Sequence, residues 1–208
     1  MSKFSDEEGI RAVRAARYVI ENIVKCQDVP DLKLPASFKN KGGVFVTLKT
    51  HHDHELRGCI GYPEPVAALE EALVDSAISA ATRDPRFSPV SSDELPNLVV
   101  EVSLLTPPEL IEASSGKELI GKVKVGEDGL IVERGWAKGL LLPQVPIEWG
   151  WKAEEFLEQT CGKAGLPLTA WKDPKTKFFK FQAEVFSEEK PHGKIKREIL
   201  NGQAGCSH

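Results

Sequence analysis

The sequence is poor in the features that mark specialised classes of protein. Its four cysteines form no CxxC pair, and they are Cys26, Cys59, Cys161 and Cys206. Cysteines this far apart are typical of reduced thiols and not of a disulfide framework or a cysteine zinc site. There is no excess of positive charge, since 27 Lys and Arg stand against 31 Asp and Glu. A nucleic-acid binder usually carries a basic domain or stripe, so nucleic-acid partners are not expected.

Long apolar runs and common cofactor motifs are also missing. The longest uncharged stretch, from Gly139 to Ile147, has about nine residues, against ~20 for a membrane span. The first residues contain no apolar core of the kind found in signal peptides. No GxGxxG or GxSxG motif occurs, so neither a dinucleotide site nor a hydrolase elbow is indicated. With 41% hydrophobic and 28% charged residues, we expect a folded cytoplasmic protein with no membrane segment and no cofactor.

The first half of the chain changes its hydrophobic period several times. Apolar residues at helical spacing predict a helix from about Asp6 to Cys26. Alternation then predicts a hairpin of two strands, Gly43–Thr50 and Leu56–Tyr62. A second helix follows to about Thr82, and Leu98–Leu105 reads as a strong strand that ends at Pro107.

The second half repeats this order of elements. Residues 129–134 and 139–142 predict a hairpin, 151–161 a helix, and 178–186 a final alternating strand. We therefore predict an α+β fold in which a duplicated hairpin-helix-strand unit forms two packed lobes with antiparallel-rich sheets. The expected lobes are a larger one at 5–115, which the C-terminal tail could also join, and a smaller one at 116–187. The polar tail 191–208 is expected to be loose.

Cys59 is the strongest candidate for a reactive side chain. Strand alternation places Arg57, Cys59 and Gly61 on one face of the predicted hairpin. A guanidinium near a thiol favours the thiolate, which is the nucleophilic form. Gly58 and Gly61 would let a ligand or another backbone approach closely. The alternative is a cysteine that fills a packed sheet, since cysteine is among the most buried residue types.

Other polar residues are candidates for the same site or for a different one. Glu101 lies in the middle of a strand and would pair with an arginine such as Arg57 or Arg86, or be exposed. Gln144 stands between prolines, where backbone freedom is low. A separate metal site would need the imidazoles of the turn between the first two strands, which are His51, His52 and His54. A solvated hairpin tip is the favoured interpretation, because all three histidines lie on one turn and the spacing fixes no fourth ligand, so no metal is predicted.

Several blocks of the sequence resemble the AMMECR family, named for the Alport syndrome, mental retardation, midface hypoplasia and elliptocytosis chromosomal region. The similar segments are Leu56-Arg-Gly-Cys-Ile-Gly61, Asp84-Pro-Arg-Phe87, Asn97–Ser103, Gly126–Leu130, Gly139–Val145 and Cys161–Pro167. They occur in the family's order and cover about residues 5–187, which the resemblance identifies as a single AMMECR-like domain. The resemblance implies a two-lobed α+β fold with a cleft between the lobes, and it implies no established molecular function.

The resemblance also bears on the candidate site and on partners. Arg57, Gly58 and Cys59 carry over directly, and Arg86, Glu101 and Gln144 carry over as polar members of family blocks, whereas the histidine turn departs from the family pattern. Family members are often encoded beside Memo-like and radical S-adenosylmethionine proteins, which implies a pathway link.

These observations give two hypotheses about function. The first is an enzyme that acts on an anionic small molecule, in which Cys59 is the reactive group and Arg57 favours the thiolate or holds the substrate. Glu101 would orient Arg57 or transfer a proton, Arg86 would complete the anion site, and Gly58, Gly61 and Gln144 would line it. The second is a binding or adaptor protein that uses the same cleft for an acidic partner or a metabolite.

Overall fold

The computed structural model describes residues 4–29 and 32–198. The chain forms two compact units. The first unit comprises the described residues up to Thr106 together with Glu184–Glu198, and the second comprises Pro107–Ala183. The division thus falls after Thr106, nine residues before the boundary expected from the sequence, and the segment Glu184–Glu198 belongs to the first unit.

The first unit contains the long N-terminal helix α1 (Asp6–Val24), which begins at a capping box. The side chain of Ser5 accepts a hydrogen bond from the Glu8 N–H, and the Glu8 carboxylate accepts one from the Ser5 N–H. The alanines and aliphatic residues of α1 form its buried face. The remaining elements before residue 106 are β1 (Gly43–Thr50), β2 (Leu56–Tyr62), α2 (Leu69–Thr82) and β3 (Leu98–Leu105).

Strands β2, β1 and β3 are antiparallel neighbours in that order. One face of this sheet carries Val46, Leu48 and Val100, which are fully buried in one cluster with apolar residues of α1 and α2. Because side chains alternate along a strand, the intervening residues, Cys59 among them, lie on the opposite face. The helices therefore occupy one side of the sheet, and the polar residues of the candidate site occupy the other.

The C-terminal part of the described chain returns to the first unit. The strand β7 (Lys177–Glu188) ends there and pairs with β8 (Ile195–Glu198) in antiparallel register. Part of the tail expected to be loose is thus a strand, held because Ile195 is buried in the main cluster and Arg197 bonds Asp6 and Glu184. Residues 199–208 lie outside the described chain.

The second unit is built around the first part of β7. Its strands β5 (Asp128–Arg134) and β6 (Ala137–Leu141) form a hairpin, β5 pairs with β7, and the two-residue strand β4 (Glu109–Leu110) pairs with β7 as well. Phe156, Leu157 and Phe178 lie at the centre of its separate core. Its helices are α3 (Gly116–Lys122), α4 (Val145–Glu148) and α5 (Ala153–Lys163).

The α+β class with antiparallel sheets is confirmed, and both units show the order hairpin, helix, strand. Within residues 4–29 and 32–198, no helix combines the length and the apolar character needed to cross a bilayer.

Candidate functional site

The candidate site is centred on a row of three residues across the first sheet. Thr47 on β1 stands opposite Cys59 on β2 and opposite Glu101 on β3. Residues directly opposite each other in antiparallel strands have neighbouring side chains on one face. The register therefore brings a thiol, a hydroxyl and a carboxylate together on the face away from the helices.

Cys59 is partly accessible, and its sulfur has a hydrogen-bond donor. The Thr47 Oγ1 hydroxyl donates to the Cys59 Sγ at 3.3 Å, and Thr47 is buried. A hydroxyl donor beside sulfur stabilises negative charge on it. Cys161 is different, because it is fully buried and burial raises the pKa of its thiol to about 11. Cys59 is thus the more accessible of these two cysteines.

A buried carboxylate couples Cys59 to Arg86. Asp84 Oδ2 accepts hydrogen bonds from the Cys59 N–H at 2.8 Å and from Arg86 Nη2 at 2.7 Å. Its Oδ1 accepts from the Arg86 N–H at 3.1 Å and from Arg86 Nε at 3.0 Å. Only 2% of the Asp84 side chain is exposed. The Arg86 guanidinium and the N–H of Cys59 hold the pKa of this carboxyl far below its usual range.

Arg86 is the guanidinium that belongs to the Cys59 site. Its Nη2 also donates to the Cys59 carbonyl oxygen at 3.3 Å, while 52% of the side chain stays exposed. The pKa of Arg86 is raised, chiefly by its hydrogen bond to Asp84 and in smaller part by the Cys59 side chain. Its Cζ lies 5.4 Å from the centre of the Phe87 ring, a distance at which a cation and a ring attract each other.

The role expected for Arg57 is replaced by a different pairing. The register of β1 and β2 shifts between Leu48 and Lys49, so Arg57 falls in a bulge and the alternation that aligned it with Cys59 is interrupted. The Arg57 Nε and Nη2 donate to the two oxygens of Glu94 at 2.7 and 3.2 Å. This guanidinium lowers the pKa of Glu94 to about 2. Arg57 is therefore held by Glu94, and only 14% of its side chain is exposed.

The pairing expected for Glu101 is wrong in the same way. Its carboxylate accepts a hydrogen bond from Lys49 Nζ at 2.8 Å, on the strand next to it, and no ion pair with Arg57 or Arg86 is formed in the described chain. Lys49 lies two residues from Thr47 on the same face of β1. The candidate site thus contains a lysine–carboxylate pair beside the thiol.

The two glycines were expected to admit a ligand or another backbone, and the structure places other parts of the protein against both. A methyl group at Gly58 would lie 2.2 Å from the Ala80 carbonyl oxygen, so Gly58 allows α2 to approach the sheet on the face opposite Cys59. A methyl group at Gly61 would lie 2.2 Å from the Val44 carbonyl oxygen and 2.5 Å from the Phe45 ring. Packing therefore accounts for both glycines.

The remaining candidates lie outside this row. Gln144 belongs to the second unit, where it immediately precedes α4 and its carbonyl accepts from the first turn of that helix. In the histidine turn, the His51 and His52 rings are 5.4 Å apart and His54 adopts a positive φ of 56°. Across residues 4–29 and 32–198, no group of three or more potential ligands has metal-binding geometry.

Four residues of the site were not singled out from the sequence as functional. Asp84 and Glu94 are ordinary turn residues by their local pattern, and their buried or paired carboxylates follow only from the tertiary fold. Thr47 and Lys49 carried a usable signal, because they are polar at alternate positions of an otherwise apolar strand. That alternation marks the face of β1 on which Cys59 lies.

Together these features define an α+β protein whose antiparallel sheet carries a cysteine-centred polar row opposite its helices. The family model AMMECR1 matches residues 13–186, and the chain belongs to that family. Protein MJ0810 of Methanocaldococcus jannaschii is 52% identical over 189 residues, which are 91% of this chain and 94% of that protein. The crystal structure of the uncharacterized protein PH0010 from Pyrococcus horikoshii is similar with a TM-score of 0.83 and 53% identity, covering 95% of this chain and 99% of that one.

Proposed function

We propose that this chain is an enzyme that binds an anionic small molecule and forms a covalent bond to it through the Cys59 sulfur. Arg86 holds the anionic group of the substrate in place of Arg57: each guanidinium is paired with one carboxylate, but 52% of the Arg86 side chain is exposed and only 14% of the Arg57 side chain. The observation that carries the proposal is the Asp84 carboxylate, which bonds the backbone of Cys59 and the guanidinium of Arg86 together.

The chemistry follows from the groups around the sulfur. Thr47 donates a hydrogen bond to Sγ and so stabilises the negative charge of the thiolate. In the covalent step, a lone pair of sulfur forms a bond to an electrophilic carbon of the substrate. The electron pair of the broken bond departs with the leaving group, and the thiol proton passes to water. Arg86 positions the substrate because Asp84 fixes part of its guanidinium while half of the side chain remains exposed.

The experiment compares variants in a pool of small carboxylates and phosphates. We expect the wild type to consume an anionic compound, or to gain its mass as an adduct, and the Cys59→Ser variant to lose this activity by at least about a hundredfold. Cys26→Ser is the matched control, since Cys26 is an exposed cysteine outside the site. Mass spectrometry reads both the compounds and the intact protein.

Consumption that survives unchanged in Cys59→Ser would contradict the proposal. The alternative function is a binding protein in which the exposed Arg86 docks an acidic partner. That function predicts no consumption by any variant, and it predicts a bound partner that Arg86→Glu releases and Cys59→Ala retains.

A further inference from the structure

The helical side of the first unit carries an apolar surface with oppositely charged borders. Two neighbouring cavities lie there, of about 410 Å³ beside α1 and about 510 Å³ beside α2. Leu32 and Leu34 line both cavities and therefore lie between them. Val74 and Ile78 of α2 add partly buried apolar surface to the second cavity. We call these four residues the apolar floor.

The border on the α1 side is basic. It consists of Arg11, Arg14 and Lys33, which line the first cavity together with Glu7. Arg11 pairs with Glu7, but Arg14 and Lys33 are exposed and have no ion-pair partner within the described part of the chain. These three cationic residues are called the basic rim below.

The border on the α2 side is acidic. Glu70, Glu71 and Asp75 line the second cavity, and they are called the acidic rim. Asp75 accepts a hydrogen bond from the Tyr62 hydroxyl and pairs with Arg83. For Glu70 and Glu71, residues 4–29 and 32–198 provide no ion-pair partner. Each rim thus has two charges that nothing in the described chain compensates.

Such a surface is complementary to itself. Consider a two-fold axis in the plane of contact that runs along Leu32 and Leu34, between the rims. This rotation places the basic rim of one copy on the acidic rim of the other, twice, and brings the apolar floors together. A partner of a single charge sign would meet repulsion at one rim, whereas a second copy meets attraction at both.

We propose that this surface is the interface of a two-fold dimer of the chain, with the apolar floor at its centre. The Cys59 site lies on the opposite face of the sheet from the helices, so the dimer leaves that face free. The proposal is independent of the proposed function, because a dimer formed in this way needs no contact with Cys59 or Arg86.

Sedimentation velocity over a concentration series tests the dimer. We expect a dissociation constant of about 1–10 μM at low salt, which rises several-fold at about 0.5 M salt because the rim charges are screened. Two variants change the rims. The all-acidic variant carries Arg14→Glu and Lys33→Glu, and the all-basic variant carries Glu70→Lys and Glu71→Lys. Facing like charges weaken self-association of each variant by at least about tenfold.

The most decisive measurement is the sedimentation of a mixture of the two variants. An equimolar mixture of the all-acidic and all-basic variants should form a heterodimer, since unlike rims then face each other at both borders. Glu55→Lys is the matched control, because Glu55 is exposed in the turn between β1 and β2, and it should dimerise like the wild type. Circular dichroism checks that every variant is folded. A wild type that stays monomeric up to about 1 mM, or a mixture that does not associate, would overturn the proposal.

Discussion

Replacing Glu188 with glutamine is expected to destabilise the protein by about 3–5 kcal/mol. Glu188 lies near the end of β7, and its carboxylate is paired with Arg17 of α1. Only 7% and 3% of the Arg17 and Glu188 side chains are exposed. Removing the negative charge leaves the buried guanidinium with only the more distant Glu21 carboxylate, 3.8 Å from Nη1, and this weakly compensated charge is the main source of the loss.

The same carboxylate and guanidinium join three elements of the first unit. Glu188 Oε2 accepts a hydrogen bond from the Val100 N–H of β3 at 3.0 Å, and Arg17 Nη2 donates to the Leu98 carbonyl oxygen at 2.5 Å. Arg17 Nε donates to Glu188 Oε1 at 3.1 Å. The network therefore ties α1 and the end of β7 to β3.

Urea denaturation of the single and double variants measures the contribution of the Arg17–Glu188 pair to the free energy of unfolding. We expect Arg17→Met alone to be strongly destabilising and Arg17→Met/Glu188→Gln to be less so than the two single effects added together, because the double variant removes both charges of the buried pair. Glu189→Gln is the control, since Glu189 is the next residue and is exposed. A Glu188→Gln protein within ~0.5 kcal/mol of wild type would show that the pair is not buried as described.

Replacing Asp84 with asparagine is expected to remove about 2–4 kcal/mol of stability at neutral pH. The carboxylate accepts four hydrogen bonds, from the backbone N–H groups of Cys59 and Arg86 and from the Arg86 guanidinium. An asparagine oxygen can accept only part of this set, and its amide nitrogen would face donors. The loss would free both β2 and the Arg86 side chain.

This loss should depend on pH in a defined direction. The folded protein lowers the pKa of Asp84 below its usual value of 3.8, chiefly through Arg86. A carboxyl whose pKa is lower in the folded state than in the unfolded state stabilises the protein fully above the unfolded pKa. This contribution is lost as the pH falls from the unfolded pKa towards the folded pKa. The difference in stability between wild type and Asp84→Asn should therefore be largest at pH 6–7 and shrink steadily below about pH 4.

Denaturation midpoints at a series of pH values provide the measurement. Asp93→Asn is the matched control, because Asp93 is an exposed aspartate in the following loop, and its variant should follow the wild type at every pH. A difference in denaturation midpoint between wild type and Asp84→Asn that stays constant from neutral to acid pH would contradict the presence of a charged Asp84.

The sequence predicted the first sheet well because its strands alternate strongly. The predicted bounds Gly43–Thr50, Leu56–Tyr62 and Leu98–Leu105 match β1, β2 and β3. Pattern alone could not predict α3 or β8, which are short. Residues 116–122 have only one fully apolar pair, and β8 is held by tertiary contacts of Ile195 and Arg197.

The candidate site could be predicted from the local sequence pattern only in part. Alternation placed Cys59 on the correct face, but it could not reveal the bulge at Arg57, which follows from the register with β1. The ion pairs of Arg86 and Arg57 could not be predicted either, because they too depend on the fold. Asp84 and Glu94 are distant in sequence from Cys59 and Arg57, and only the fold brings each carboxylate to its partner. For Gly58 the sequence left open a ligand or another backbone, and only the fold shows that α2 is the neighbour.

The most direct test of the Cys59 site is alkylation of the native protein by iodoacetate and by iodoacetamide, resolved by mass spectrometry for each cysteine. Because Arg86 attracts an anion, the ratio of the iodoacetate rate to the iodoacetamide rate should be about tenfold higher at Cys59 than at the exposed Cys26. Arg86→Gln should abolish this preference, and the buried Cys161 should react only after unfolding. A Cys59 that reacts only in the unfolded protein, or with the same ratio as Cys26, would contradict the account of an accessible thiol beside a guanidinium.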